Sequence, residues 1–182
     1  MNIIPAKEKY IKTVQAEMKK KFGYKSVMAA PQIKKVIVNV GIGKIVKEND
    51  KIEEVVNALT AITGQKPVKT KAKKAIAGFK TRAGMEVGVK VTLRGARMWQ
   101  FIDRLVSATL PRTRDFQGIT RKSVDKGGNI SIGIKEHLIF PEILPEKVKY
   151  IFGLQVTIST TAHSQEEGLE LFKLLGFPIK SE

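Results

Sequence analysis

The first apolar positions recur at helical spacing: Tyr10 or Ile11, Val14, Met18 and Phe22, with Lys9, Lys12, Lys19, Lys20 and Lys21 around the other faces. Pro5 before them and Gly23 after them bound a basic amphipathic helix. From Ile33 to Val40 the period shortens to two. Val36, Val38 and Val40 point one way, Lys35, Ile37 and Asn39 the other, and Gly41 and Gly43 end the strand. Asn49 is placed as an N-cap for a second helical stripe of Ile52, Val55, Val56, Leu59 and Ile62, which stops at Gly64. Val87, Val89, Val91 and Leu93 then alternate with Glu86, Gly88, Lys90, Thr92 and Arg94, the clearest two-residue period in the chain. Met98, Phe101, Ile102, Leu105 and Val106 make a third helical stripe closed by Pro111, with Trp99 beside it.

Between Pro111 and Asn129 the apolar period fades, and Arg112, Arg114, Arg121, Lys122 and Lys126 share the stretch with three glycines, which reads as a long, exposed, basic loop. Alternation resumes at Ile130, Ile132 and Ile134 and again at Leu154, Val156 and Ile158. Ser164 and Glu167 have capping-box spacing and open a last helix through Leu171, Phe172 and Leu175, ended by Gly176 with Pro178 beyond. Strands and helices without a regular strand-helix-strand rhythm predict an α+β fold: an antiparallel sheet, helices on its apolar face and the other face open. With no internal repeat and no linker, the chain reads as one body over 1–182, with basic excursions at 66–85 and 111–130.

Composition adds a sign to this picture. The 182 residues are 42% hydrophobic and 27% charged, as in a folding domain, but 33 Lys and Arg against 17 Asp and Glu leave a net charge of +16. That excess favours a polyanionic partner: RNA, DNA or an acidic membrane. No run is apolar enough to span a bilayer, and the opening residues lack the apolar stretch of a secretory signal, so the expected place is the cytoplasm. Absence of cysteine excludes disulfides, thiol nucleophiles and the usual zinc sites, and His137 and His163 stand apart as ordinary surface or packing histidines. Gly41-Ile42-Gly43-Lys44 follows a strand but fails both nucleotide-binding patterns, for want of glycine at Val46 in one and of glycine at Val38 with a hydroxyl at Ile45 in the other. The paired acids Glu53-Glu54 and Glu166-Glu167 lie on amphipathic helices, where solvation is their ordinary role. No catalytic residue, metal or cofactor is expected.

Projecting the strands onto one sheet collects Lys35, Asn39, Lys90, Thr92, Arg94, Ser131, Lys135, Gln155, Thr157 and Ser159 on the open face. Lys and Arg meet phosphates, while amides and hydroxyls bond to sugars, phosphates or base edges. Without aromatic stacking platforms, the face suits folded RNA better than splayed single strands. The segment KTKAKKAIAGFKTR, Lys69 to Arg82, carries six cations and no acid, and its small residues let RNA approach the backbone. From Ser164 onward four acids meet two lysines, which turns the last helix away from RNA.

Four stretches then carry a likeness: ITGQKPVKTKAKKAIAGFKTRAGM from Ile62, VTLRGARMW from Val91, FQGITRKSVDKGGNISIGIKEHLIFPEI from Phe116 and GLQVTISTTA from Gly153. Nearly end to end, the chain resembles the bacterial type of the universal large-subunit ribosomal protein five, the 5S ribosomal RNA-binding family. The resemblance implies a structural, non-enzymatic ribosomal protein of α+β fold, a curved antiparallel sheet with helices on its convex side, whose open concave basic face grips 5S ribosomal RNA in the central protuberance. With the open-face lysines, it marks Lys12, Tyr24, Lys35, Asn39, Gln65, Lys66, Lys90, Thr92 and Arg94 for ribosomal RNA. It assigns Lys71, Lys73, Lys74, Lys80 and Arg82 to P-site transfer RNA, and Arg112, Arg114, Arg121 and Lys122 to an intersubunit bridge with small-subunit ribosomal protein thirteen. Further expected partners are 23S ribosomal RNA and neighbouring large-subunit proteins, with no membrane and a monomer within the ribosome. The long loop departs from the family pattern at Val124, Lys126, Gly127 and Ile130. The same charge would suit a free-standing RNA chaperone or architectural nucleic-acid protein, with an RNA-modifying enzyme more distant still.

Overall fold

Valine and isoleucine repeat at every second position in four of the five strands, and that repeat gives each of these strands one side to bury. A computed structural model describes residues 5–46, 48–79, 81–114 and 116–180. The strands are β1 (Ile33–Gly41), β2 (Val68–Lys71), β3 (Glu86–Leu93), β4 (Ile130–Ile134) and β5 (Leu154–Thr160). They form one open antiparallel sheet in the order β2-β3-β1-β5-β4. With four helical segments the fold is α+β, as the sequence predicts. Helix α1 runs through Ala6–Lys9, a π-helical stretch Tyr10–Val14 and Gln15–Phe22; α2 is Asn49–Thr63; α3 is Gly95–Arg104 continued by a π-helical stretch Leu105–Thr109; α4 is Gln165–Leu175.

By its internal contacts the chain divides into two compact units. The first comprises the described residues of Met1–Val36, Leu93–Ile132 and Thr157–Glu182, and thus α1, α3 and α4. Its core is built from Val14, Met18, Leu93, Phe101, Leu105, Ile130, Ile158 and Phe172, all sealed from solvent. In α1 the stripe falls on Tyr10, 6% exposed, and leaves Ile11 55% exposed. Tyr10 packs on Trp99 with ring centroids 5.6 Å apart and donates its hydroxyl to the Pro31 carbonyl at 3.1 Å. Such a partner keeps a buried tyrosine from costing desolvation. The Ser164 hydroxyl accepts the Glu167 amide at 3.3 Å at the head of α4. Glu167 reaches back to the His163 amide at 2.8 Å, one residue ahead of the cap itself.

The second unit comprises the described residues of Ile37–Thr92 and Gly133–Val156. Here Val38, Val40, Ile42, Val89, Val91 and Val156 of the sheet side, Val55, Leu59 and Ile62 of α2, and Phe140 and Phe152 are buried.

Three expectations change. Glu48, not Asn49, is the N-cap of α2, and no side chain bonds to that helix end. Within 66–85 the backbone is not all loop. Val68–Lys71 pairs with β3 in the register Val68↔Lys90, Lys69↔Val89 and Thr70↔Gly88, although Val68 is 62% exposed, so backbone hydrogen bonds and not burial make this strand. The 111–130 stretch is tethered as well. Ile119 is buried and pairs with the C-terminal end, its amide donating to Pro178 O at 2.8 Å and its carbonyl accepting from Lys180 N at 2.9 Å. Val124, also buried, bridges to Ile130.

Candidate nucleic-acid interface

Side chains that alternate with a buried row must emerge on the opposite side of the strand. In the second unit, Asn39, Lys90, Lys135 and Gln155 do so and are exposed, with Thr92 half-buried. Gly41, Gly88, Gly133 and Gly153 lie at the same parity, which lowers the floor between these polar side chains. Asn39, Lys135 and Gln155 line a shallow open depression together with Gly41, Gly133 and Gly153. Gly88 is required by close approach. A Cβ there would stand 2.7 Å from the Thr70 hydroxyl, which would have to rotate away, and 3.4 Å from the Val40 carbonyl, so glycine leaves β2 and β1 most room at this point.

Glu86 also belongs to this side of β3, and Lys69 pairs with it at 2.9 Å. Gln65, just past α2, is oriented by its amide bond to the Thr63 hydroxyl at 3.4 Å, and its side chain reaches the Thr92 carbonyl at 3.5 Å. Lys66 beside it is exposed.

In the first unit, Arg94 and Ser131 are exposed and Lys35, Thr157 and Ser159 half-buried. The Ser131 and Thr157 hydroxyls lie 3.1 Å apart. Lys12 is exposed on α1 and ion-paired with Glu8 at 3.1 Å. Tyr24 is held differently: its ring stacks on Phe22 and its shielded hydroxyl lies against the Glu167 carboxylate. Burial first, then that carboxylate, raises the phenol above its ordinary value.

Past Lys71 the chain continues as a hairpin, closed by Ala72 N to Met85 O at 2.8 Å, Gly84 N to Ala72 O at 2.9 Å and an Ile76–Thr81 bridge. Lys71, Lys73, Lys74 and Arg82 are all exposed on it, while Lys80 lies outside the described residues. Composition alone did not mark the apolar tip of this hairpin, Phe79 at 78% and Ile76 at 48% exposure. Large exposed apolar side chains between cations are its signal. Arg112, Arg114, Arg121 and Lys122 are exposed in the first unit, the last two in a 3-10 turn.

Among the described residues no group of three or more His, Asp or Glu is arranged to hold a metal, and no helix is long and apolar enough to cross a membrane. The arrangement is a set of cations, amides and hydroxyls, suited to contacts with phosphate, ribose and base edges.

Two family models match the chain: Ribosomal protein L5 over residues 26–82 and the ribosomal L5P family C-terminus over residues 86–179. The chain belongs to the ribosomal protein L5 family. It is 52% identical over 173 residues to the protein called Large ribosomal subunit protein uL5 in Desulforamulus reducens, covering 95% of this chain and 96% of the relative. The proteins of that name in Colwellia psychrerythraea and Halothermothrix orenii are each 50% identical, over 95% and 94% of this chain and 96% of each relative. As a member of the L5 family the chain is a structural protein of the large ribosomal subunit, not an enzyme, and its place is the cytoplasmic ribosome.

Proposed function

We propose that the chain acts as a single 5S ribosomal RNA-binding domain, a monomer in the central protuberance of the large subunit. The polar sheet side and α1 dock the RNA. Lys12, Tyr24, Lys35, Asn39, Gln65, Lys66, Lys90, Thr92 and Arg94 are its contacts, with Lys and Arg on phosphates and Asn, Gln and Thr on ribose or base edges. The hairpin cations Lys71, Lys73, Lys74 and Arg82, together with Lys80, reach P-site transfer RNA. Arg112, Arg114, Arg121 and Lys122 meet small-subunit ribosomal protein thirteen, and 23S ribosomal RNA and adjacent large-subunit proteins complete the surroundings.

One observation carries this reading: Asn39 and Lys90 are exposed at strand positions whose neighbours are buried, and Arg94 is exposed just past the end of β3, beside glycines that let a polyanion approach the backbone. Titration of the purified chain with 5S ribosomal RNA, random RNA and duplex DNA tests it, with strong preference for 5S RNA expected. Replacing Asn39 or Arg94 by Ala weakens that binding by about 1–3 kcal/mol for a charge-assisted or buried contact. Equal affinity for all three nucleic acids would instead make the chain a general RNA chaperone.

A further inference from the structure

The depression on the polar sheet side of the second unit has a volume of about 500 Å³, and its polar side chains are Asn39, Lys135 and Gln155. All three are exposed, and among the described residues no hydrogen bond or ion pair engages their side chains. Two carboxamides and an ammonium group are thus free to meet something outside the chain.

Between them the floor is glycine, in part where the protein itself does not need one. Gly153 has an internal cause, since a Cβ there would stand 3.0 Å from the Ile134 carbonyl and 3.2 Å from that of Lys135. Gly41 and Gly133 have none. A Cβ at either would meet nothing within 4 Å beyond its chain neighbours, and neither has a positive φ. Gly133 lies inside β4 and Gly41 ends β1, where glycine weakens a strand through its excess backbone freedom and its missing side chain. With no internal cause, such glycines mark a close approach to the backbone from outside.

The free side chains decide what approaches. Phosphate uses donors alone, and the acceptor oxygen of a carboxamide is wasted on it. The edge of a nucleobase offers donors and acceptors side by side, which a carboxamide matches with its own nitrogen and oxygen. Folded RNA presents such edges where a loop or bulge splays a base out, and bare peptide planes give that base a flat surface where no aromatic ring does.

We propose that this depression takes one unpaired nucleotide of the bound RNA, its base lying on the floor at Gly41 and Gly133, its edge bonded to the Asn39 and Gln155 amides and its phosphate to Lys135. The inference rests on the reading of this sheet side as the 5S RNA face and adds to it a seat for a single extruded base. Gly41→Val and Gly133→Val, made separately in the full chain, each put a side chain on the floor in open space. Both are expected to keep or raise the melting temperature, because valine favours strands, and to weaken 5S RNA binding about tenfold or more. Each serves should the other fold poorly. In a second arm, 5S RNAs carrying an abasic nucleotide at each unpaired position in turn are titrated with the unaltered chain and with both variants. One of these RNAs should bind the unaltered chain about tenfold more weakly and lose nothing further with Gly133→Val, since a base and the floor beneath it act as a pair. No preference of the unaltered chain for 5S RNA would remove the underlying reading and this inference with it. Preference kept in full by both valine variants would overturn the base seat alone. Weaker binding without a coupled abasic position would put the RNA backbone on the floor, and a lower melting temperature in both variants would give the glycines an internal cause; either result also overturns the proposal.

Discussion

A Cβ at Gly88 would stand 2.7 Å from the Thr70 hydroxyl, which must turn to make room, and 3.4 Å from the backbone carbonyl of Val40, which cannot, and a branched side chain adds bulk beside both. Gly88→Val is therefore expected to destabilise the fold by about 1–3 kcal/mol, the usual range for overpacking, measured as a lower urea midpoint. His137 gives a second residue-scale expectation. Burial lowers its pKa from the ordinary value of 6.5, so the folded protein holds the ring neutral while the unfolded chain takes up a proton. Its contribution to stability is complete above that ordinary value and is lost as the pH falls through the window down to the folded pKa. Urea unfolding at stepped pH should show stability declining below about 6.5. His137→Phe should keep the stack on Phe152 and flatten that decline; an unchanged slope would clear His137 of the effect. Spacing alone left this residue as an ordinary surface or packing histidine, and burial decides for packing. Spacing could not show the ring's Nε2 left without a partner, because Phe152, whose amide donates to Nδ1 at 3.4 Å, comes close only through folding.

Among the elements, α4 meets the root of the long loop without any gap. A Cβ on Gly168 would stand 2.5 Å from Gly128 Cα, and Gly128 itself sits at φ +70° with Ala162 Cβ 2.5 Å from where its own Cβ would be. Elsewhere in a helix Gly→Ala stabilises by about 1 kcal/mol, but at Gly168 the sign reverses, and Gly168→Ala should lower the melting temperature. Asn129 ties the same root to β5, its side-chain oxygen accepting from Thr160 N at 2.9 Å and Ser159 Oγ at 3.2 Å. The hairpin beyond β2 differs in kind, since its exposed tip buries little. Replacing residues 73–82 with a short Asn-Gly turn is expected to leave the melting temperature and 5S RNA affinity nearly unchanged and to weaken transfer RNA binding in assembled ribosomes. Loss of 5S affinity would mean that the hairpin serves the other RNA. Neither β2 nor the loop tethers were legible beforehand. An edge strand of Val68, Lys69, Thr70 and Lys71 has no apolar row to betray it, and Ile119 pairs with Ile179, sixty residues away in the chain.

Over the whole molecule, charge is the property that acts at distance. If the polar sheet side meets phosphates, the logarithm of 5S RNA affinity should fall linearly with the logarithm of salt, and Lys90→Gln should shallow the slope by about 0.7–0.9 for each phosphate contact removed. A slope that does not change would take Lys90 off the phosphates. The one-way alternation in β1, β3, β4 and β5, the helical stripes and the glycine stops already set the α+β class, the buried row and the polar row, since each depends on neighbours two to four residues apart and on hydrophobic burial. The quoted stretches likewise carried the family, which the full-length relatives then showed. Only tertiary structure decided that β2 joins the sheet, that Gly88 is crowded by Thr70 and Val40, that Tyr24 turns toward Glu167, and that His137 keeps an unmatched buried donor. Each of these depends on atoms brought together from distant parts of the chain, by packing contacts that no local period encodes.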